Sequence, residues 1–233
     1  REMHKSWGNA IWFEDAAEKM GVDVMRWLYA SQNPEHNLLF GYAIADEVRK
    51  NLITFWNTYY FFVTYANLDN FNPEKISVDE RDFTILDKWI SSKMNEFIKE
   101  SKNHYENFEV YKLMKKASII LDNLSNWYVR RNRRRFWKSE NDNDKNAAYI
   151  TLHSALITYS KVLAPIIPFV TEEIYKNLNM VDESIHLSSF PKYDKAKTDF
   201  ELIDEIDDVI NIVNLSRSLR NKSNIKTRQP LSK

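Results

Sequence analysis

The chain has 233 residues, 43% of them hydrophobic, enough for one large domain or two small ones around a sizeable core. Its 33 basic and 33 acidic residues cancel, so no net field attracts a polyanion, and any such affinity has to come from local segregation of charge. Zero cysteines exclude a disulfide scaffold and thiolate metal sites. No apolar run reaches the roughly 20 residues of a membrane span, and the three glycines, none beyond Gly41, exclude glycine-rich phosphate loops.

In chain order, Glu14 to Met20 predicts a short helix closed by Gly21, and Asp23 is placed to cap a second helix carrying Val24, Trp27 and Leu28. Asn33-Pro34 interrupts the chain, because a residue before proline avoids helical geometry. From about Asn37 long helices follow. The first carries Ile44, Val48, Leu52, Phe55, Tyr59, Phe62 and Ala66 on one stripe. The second, opened by Asp79 or Asp82, carries Phe83, Leu86, Ile90, Met94 and Phe97. The third carries Val110, Leu113, Ala117, Ile120, Leu124 and Trp127. The fourth, from about Asp144, carries Ala148, Leu152, Ala155, Tyr159 and Val162 and ends at Pro165 and Pro168, the latter suited to begin the next helix.

Ser184 to Pro191 reads as an extended segment covering the bundle. A last helix runs from about Asp199 to Asn221 and is the second place where charge is segregated, with acids early (Asp199, Glu201, Asp204, Glu205, Asp207, Asp208) and only bases after Asp208 (Arg217, Arg220, Lys222, Lys226, Arg228, Lys233), a pattern that complementing the helix dipole explains in part. The pattern predicts an all-α fold, an up-down helical bundle in three parts: an N-terminal loop with connector helices (1–36), the bundle (37–198), and the final helix with the start of a further region (199–233). The first residue looks mid-domain, as in a piece excised from a longer protein.

The third helix ends in an unusual run. Continuing its stripe in steps of three and four lands on Arg131 and then on Arg134 or Arg135, guanidinium groups that are costly to bury without an anionic or hydrogen-bonding partner. From Arg130 to Lys138 there are six basic residues and no acid, interleaved with Asn132, Phe136 and Trp137. Cations neutralise phosphates and planar side chains stack on unpaired bases at roughly 1–3 kcal/mol each, a mixture that suits single-stranded nucleic acid. A solvated basic face, with Trp127 and Trp137 as packing residues, is the alternative that composition leaves open. No metal site is predicted: His4, His36, His104, His153 and His186 lie far apart, and His153 reads as a hydrogen-bonded or surface residue. Glu172 and Glu173 sit where they complement a helix dipole, and the bundle shows no catalytic constellation.

Asn126 to Trp137 resembles, without departure, the N-W-Y-V-R-R-x-R-R-R-F-W motif in the anticodon-binding domain of isoleucyl-tRNA synthetases of the eukaryote-like subtype, which are class I enzymes. The resemblance covers essentially the whole chain, from Met3-His4-Lys5-Ser6-Trp7-Gly8-Asn9 to Arg228-Gln229-Pro230-Leu231; valyl and leucyl relatives share the architecture but lack the run of arginines. It implies that Trp127, Arg130, Arg131, Asn132, Arg133, Arg134, Arg135 and Trp137 contact the anticodon arm, with Trp127 divided between that role and the core because it also lies on the apolar stripe. Glu2-Met3-His4-Lys5-Ser6 resembles the mobile K-M-S-K-S loop of class I synthetases. Lys5 and Ser6 match, whereas Glu2 and His4 depart from the pattern. This implies an ATP-binding loop of Met3, His4, Lys5 and Ser6, with Lys5 as the catalytic residue that holds the triphosphate during adenylation.

The same resemblance implies ATP with Mg2+ as cofactor of the parent enzyme and none on the bundle. It implies an isoleucine-accepting tRNA as partner, with neither DNA nor membrane, and a monomeric, cytoplasmic parent. The nucleotide-binding fold, amino-acid pocket and editing domain are not in this sequence, so the chain alone is expected to be inactive. Two other readings stand beside this one: the anticodon domain of a valyl or leucyl synthetase, and a helical protein-interaction scaffold without RNA binding.

Overall fold

The computed structural model describes residues 5–8, 10–138, 142–178 and 184–231, which form α-helices and 3₁₀ turns with no strand among them. After a 3₁₀ turn at Lys5–Trp7 come α1 (Phe13–Met20) and α2 (Val22–Ala30), joined at Gly21, whose φ of +87° is a backbone conformation that glycine tolerates best. Asp23 does not cap α2, since it lies inside that helix. Its carboxylate instead accepts the backbone N–H groups of Val170 (2.7 Å) and Phe169 (3.4 Å), at the start of a helix that begins with Pro168. Burial pushes the Asp23 carboxyl above its ordinary range, against the pull of those two N–H groups. Arg26 adds donors to the Ile166 and Pro165 carbonyls. The connector is thereby tied to the far end of the bundle, and Trp27 lies in the main core.

The bundle proper comprises α3 (Tyr42–Leu68), α4 (Ile85–Glu106), α5 (Val110–Asp122), α6 (Arg130–Trp137), α7 (Asn143–Leu163) and α8 (Pro168–Leu178). Neither Asp79 nor Asp82 opens α4: Asp79 caps the 3₁₀ turn Glu80–Asp82, and Thr84 caps α4 through a capping box with Asp87. α4 packs on α5 and α7, and α7 on α8. Between them Phe55, Phe62, Trp89, Phe97, Tyr128, Phe136, Tyr149 and Tyr159 are buried in one cluster. Each such ring contributes about 1.5–3 kcal/mol through the area removed from water. His153 lies in α7 against Phe62 and Phe71, with Nε2 2.9 Å from the Leu178 carbonyl.

The crossing segment is less extended than its sequence suggests. It makes a 3₁₀ turn at Ile185–Leu187, with Ile185 buried beside Ala164 and Tyr175, and Glu172 accepts from the Ser184 hydroxyl (3.0 Å) and the Ile185 N–H (2.9 Å). The last helix, α9 (Phe200–Lys222), is capped by Asp199 and anchored on α4 by Leu202, Ile203 and Ile210 and by an ion pair between Asp207 and the buried Lys93.

Candidate nucleic-acid interface

α5 and α6 are two ends of one continuous helical rod, joined by a π-helical stretch at Asn123–Val129. A π turn spreads more residues over each turn, so the buried face beyond it falls on later residues than α periodicity predicts. Of the positions to which the apolar stripe extrapolates, Arg135 is buried, whereas Arg131 and Arg134 are exposed; Tyr128, Asn132 and Phe136 are buried beside Arg135. The interruption occupies the motif that carries the resemblance, and it decides which arginines face solvent.

Arg135 takes the core position and finds its anions inside the chain. Its Nη1 donates to Asp87 Oδ1 (2.9 Å) and its Nη2 to the Asp144 carbonyl (2.7 Å), while Nε lies 2.7 Å from Asp144 Oδ1 without hydrogen-bond alignment. Burial works most strongly against the charge on Arg135, but the hydrogen bond to Asp87 and the charges of Asp87 and Asp144 together outweigh it and raise the guanidinium pKa. Asp87, 0% exposed, also accepts the Tyr128 hydroxyl at 2.6 Å and, on Oδ2, the Thr84 N–H (2.7 Å) and hydroxyl (2.8 Å). Burial together with the Asp87 carboxylate drives the Tyr128 phenol well above its usual pKa, so it stays a donor. Asn132 is enclosed too, donating to the Tyr128 carbonyl and accepting from Arg135. Phe136 meets the edges of Tyr149 and Phe61, with ring centroids 5.1 and 5.2 Å away. Arg135, Asn132 and Phe136 therefore fasten α6 to α3, α4 and α7.

The other predicted contacts separate into two groups. Arg130, Arg131, Arg133 and Arg134 are exposed, and among the described residues the arginine ion pairs belong to Arg49, Arg81 and Arg135, not to these four. Arg133 lies 5.8 Å from the Phe61 ring, and Trp137 is 54% exposed at the end of the helix. Lys138, by contrast, is tied to Asp142 and Asp144. Trp127 is 6% exposed and belongs to the core; the Arg131 guanidinium covers what remains, 3.6 Å from the ring centroid.

Two residues outside the arginine motif complete the surface. Asn214 and Arg217 of α9 face Asp122, Asn126, Trp127, Arg130 and Arg131 across a cleft of about 530 Å³. Partial burial, then the nearby cations of Arg217 and Arg130, lower the pKa of Arg131, the electrostatic mark of positive charge without compensation. Arg217 opens the basic half of α9, a segregation of charge that dipole complementarity accounts for only in part. Of the proposed ATP loop, Met3 and His4 lie outside the described residues, Lys5 begins the first 3₁₀ turn, and Ser6 is exposed. Among the described residues no group of His, Asp and Glu side chains is placed to hold a metal ion, and no helix is long and apolar enough to cross a membrane.

Residues 87–233 match the family model described as the anticodon-binding domain of tRNA ligase. The chain is 43% identical over 241 residues to the isoleucine--tRNA ligase of Clostridium tetani and 44% identical over 239 residues to that of Dehalococcoides mccartyi, in each case across 99% of this chain and 23% of the relative. A Thermoplasma volcanium isoleucine--tRNA ligase is 40% identical over 232 residues, again across 99% of this chain and 22% of its own length. The chain thus spans less than a quarter of these relatives. Among solved structures, a ternary complex of an Agrobacterium radiobacter K84 LeuRS with tRNA and LeuAMS superposes with a TM-score of 0.59 at 15% identity, over 85% of this chain and 23% of that one, a likeness of fold.

Proposed function

The chain belongs to the anticodon-binding domains of tRNA ligases, and from that premise we propose that it recognises the anticodon arm of an isoleucine-accepting tRNA within a cytoplasmic isoleucyl-tRNA synthetase. The parent enzyme activates isoleucine with ATP and Mg2+ and transfers it to that tRNA. The observation that carries this reading is the row of exposed arginines, Arg130, Arg131, Arg133 and Arg134, without carboxylate partners among the described residues, on a helix whose other face is pinned by the buried Arg135–Asp87–Tyr128 network. A rigid helix holds its cations in place before RNA arrives, so little conformational entropy is lost on binding. The exposed Trp137 offers a face on which a base can stack.

Arg135 and Asn132 act here as positioning residues rather than contacts, because their polar atoms are already engaged. Trp127 supports Arg131 from beneath. Lys5 is this chain's contribution to the ATP site: a cation delivered to the triphosphate as negative charge builds up in adenylation. The isolated chain, lacking the remainder of that site, activates no isoleucine.

The test is a titration of the parent enzyme with a panel of purified tRNAs over a range of salt. Isoleucine tRNA should bind tightest, and Arg134→Ala should weaken it while lowering the log–log salt slope by about 0.7, the value for one lost single-strand phosphate contact. Equal affinity for all tRNAs, or Arg130, Arg133 and Arg134 variants that bind as the parent does at every salt concentration, overturns the reading.

A further inference from the structure

We propose that Arg131 and Arg217 are the two jaws of a phosphodiester clamp, in which one backbone phosphate of the RNA is held in the cleft between α6 and α9. This rests on the tRNA reading above and extends it to a second wall, on a helix outside the arginine motif, and to a defined chemical group.

The cleft gathers the guanidiniums of Arg130, Arg131 and Arg217. The one carboxylate in its lining, Asp122, accepts the Asn126 amide at 2.6 Å and pairs with none of them. Arg131 is steadied from two sides. Its Nη1 donates to the Asn126 carbonyl at 3.2 Å, and its guanidinium carbon lies over the Trp127 indole, 3.6 Å from the ring centroid. Partial burial lowers the pKa of Arg131 first and the neighbouring cations of Arg217 and Arg130 add to it; an anion between the guanidiniums relieves that repulsion. A phosphodiester fits because it carries a single charge over two free oxygens, one for each guanidinium fork. A base does not take this place, since the stacking face of Trp127 is already covered by Arg131. RNA is the source of the phosphate because Arg130 lines the same cleft and the exposed Arg133 and Arg134 follow on the same helix.

The experiment uses the parent synthetase with isoleucine tRNA and with anticodon-arm hairpins carrying one neutral methylphosphonate at each successive position. Arg217 is exposed, so Arg217→Ala should leave the melting temperature unchanged. It should weaken binding by roughly tenfold, the order of one charged hydrogen bond, and lower the salt slope by about 0.7. One methylphosphonate position should weaken the native protein and cost Arg217→Ala nothing further. If Arg217→Ala binds as the native protein does while Arg134→Ala is weakened, the clamp is overturned and the tRNA reading stands. If every methylphosphonate costs both proteins equally, Arg217 acts only through long-range charge and the clamp is again overturned. If neither arginine variant is weakened, the tRNA reading fails and the clamp with it.

Discussion

Asp87→Ala is the most informative single change. It deletes an acceptor with 0% exposure that is shared by Arg135, Tyr128 and both polar groups of Thr84. Removing one partner of a buried ion pair costs about 3–5 kcal/mol, because the other charge stays behind uncompensated. Loss of the capping box adds about 1 kcal/mol. Asp144 remains beside Arg135 and softens the first figure, so the expected loss is about 4 kcal/mol. For a chain of this size that corresponds to a fall of about 8–16 °C in melting temperature. Urea denaturation should show the midpoint falling with little change in m, and tRNA affinity should fall as well, since α6 loses its anchor. Replacing both partners, as Asp87→Leu with Arg135→Met, should recover at least about 1 kcal/mol relative to the sum of the single changes, because no charge is left unpaired. A loss below about 1 kcal/mol for Asp87→Ala, or strict additivity in the pair, would refute the network's role in fixing the helix.

Trp127→Ala should lower stability by about 3–5 kcal/mol, as for other buried aromatics, whereas Trp137→Ala should leave the melting curve in place and cost about 1–3 kcal/mol of tRNA affinity with the salt slope unchanged; the reverse pattern would exchange their roles. His153 has its pKa depressed by burial, so the unfolded chain takes up that proton first. Stability should therefore decline as pH falls below about 6.5 and continue to do so down to the folded-state pKa. His153→Gln, which keeps a donor for the Leu178 carbonyl, should flatten that part of the profile, and an unchanged pH profile would contradict the assignment. Lys5→Ala in the parent enzyme should slow isoleucine activation far more than it weakens isoleucine binding, while Glu2→Lys and His4→Ser should be tolerated; equal losses in rate and binding argue against the triphosphate role.

Sequence by itself was enough for the all-α class and for most of the helices. Apolar spacing, Pro168 at a helix start and Asp199 at another are local properties, settled by neighbours within one or two turns. The arginine run, and its likeness to anticodon-binding helices, was equally plain. Tertiary structure alone decided which side chains on that run face outward. Beyond the π-helical stretch the buried face falls on Asn132 rather than Arg131, and of the two arginines that counting left open, Arg134 and Arg135, it takes Arg135. It also decided where the charges are spent. Asp23 serves α8 instead of α2, Asp87 serves Arg135 across α4 and α6 as well as its own helix cap, and Arg217 arrives opposite Arg131 from the far end of the chain. Periodicity reports only which face of a helix is apolar; the partner of a charge is set by how separate helices pack, through contacts between residues distant in sequence.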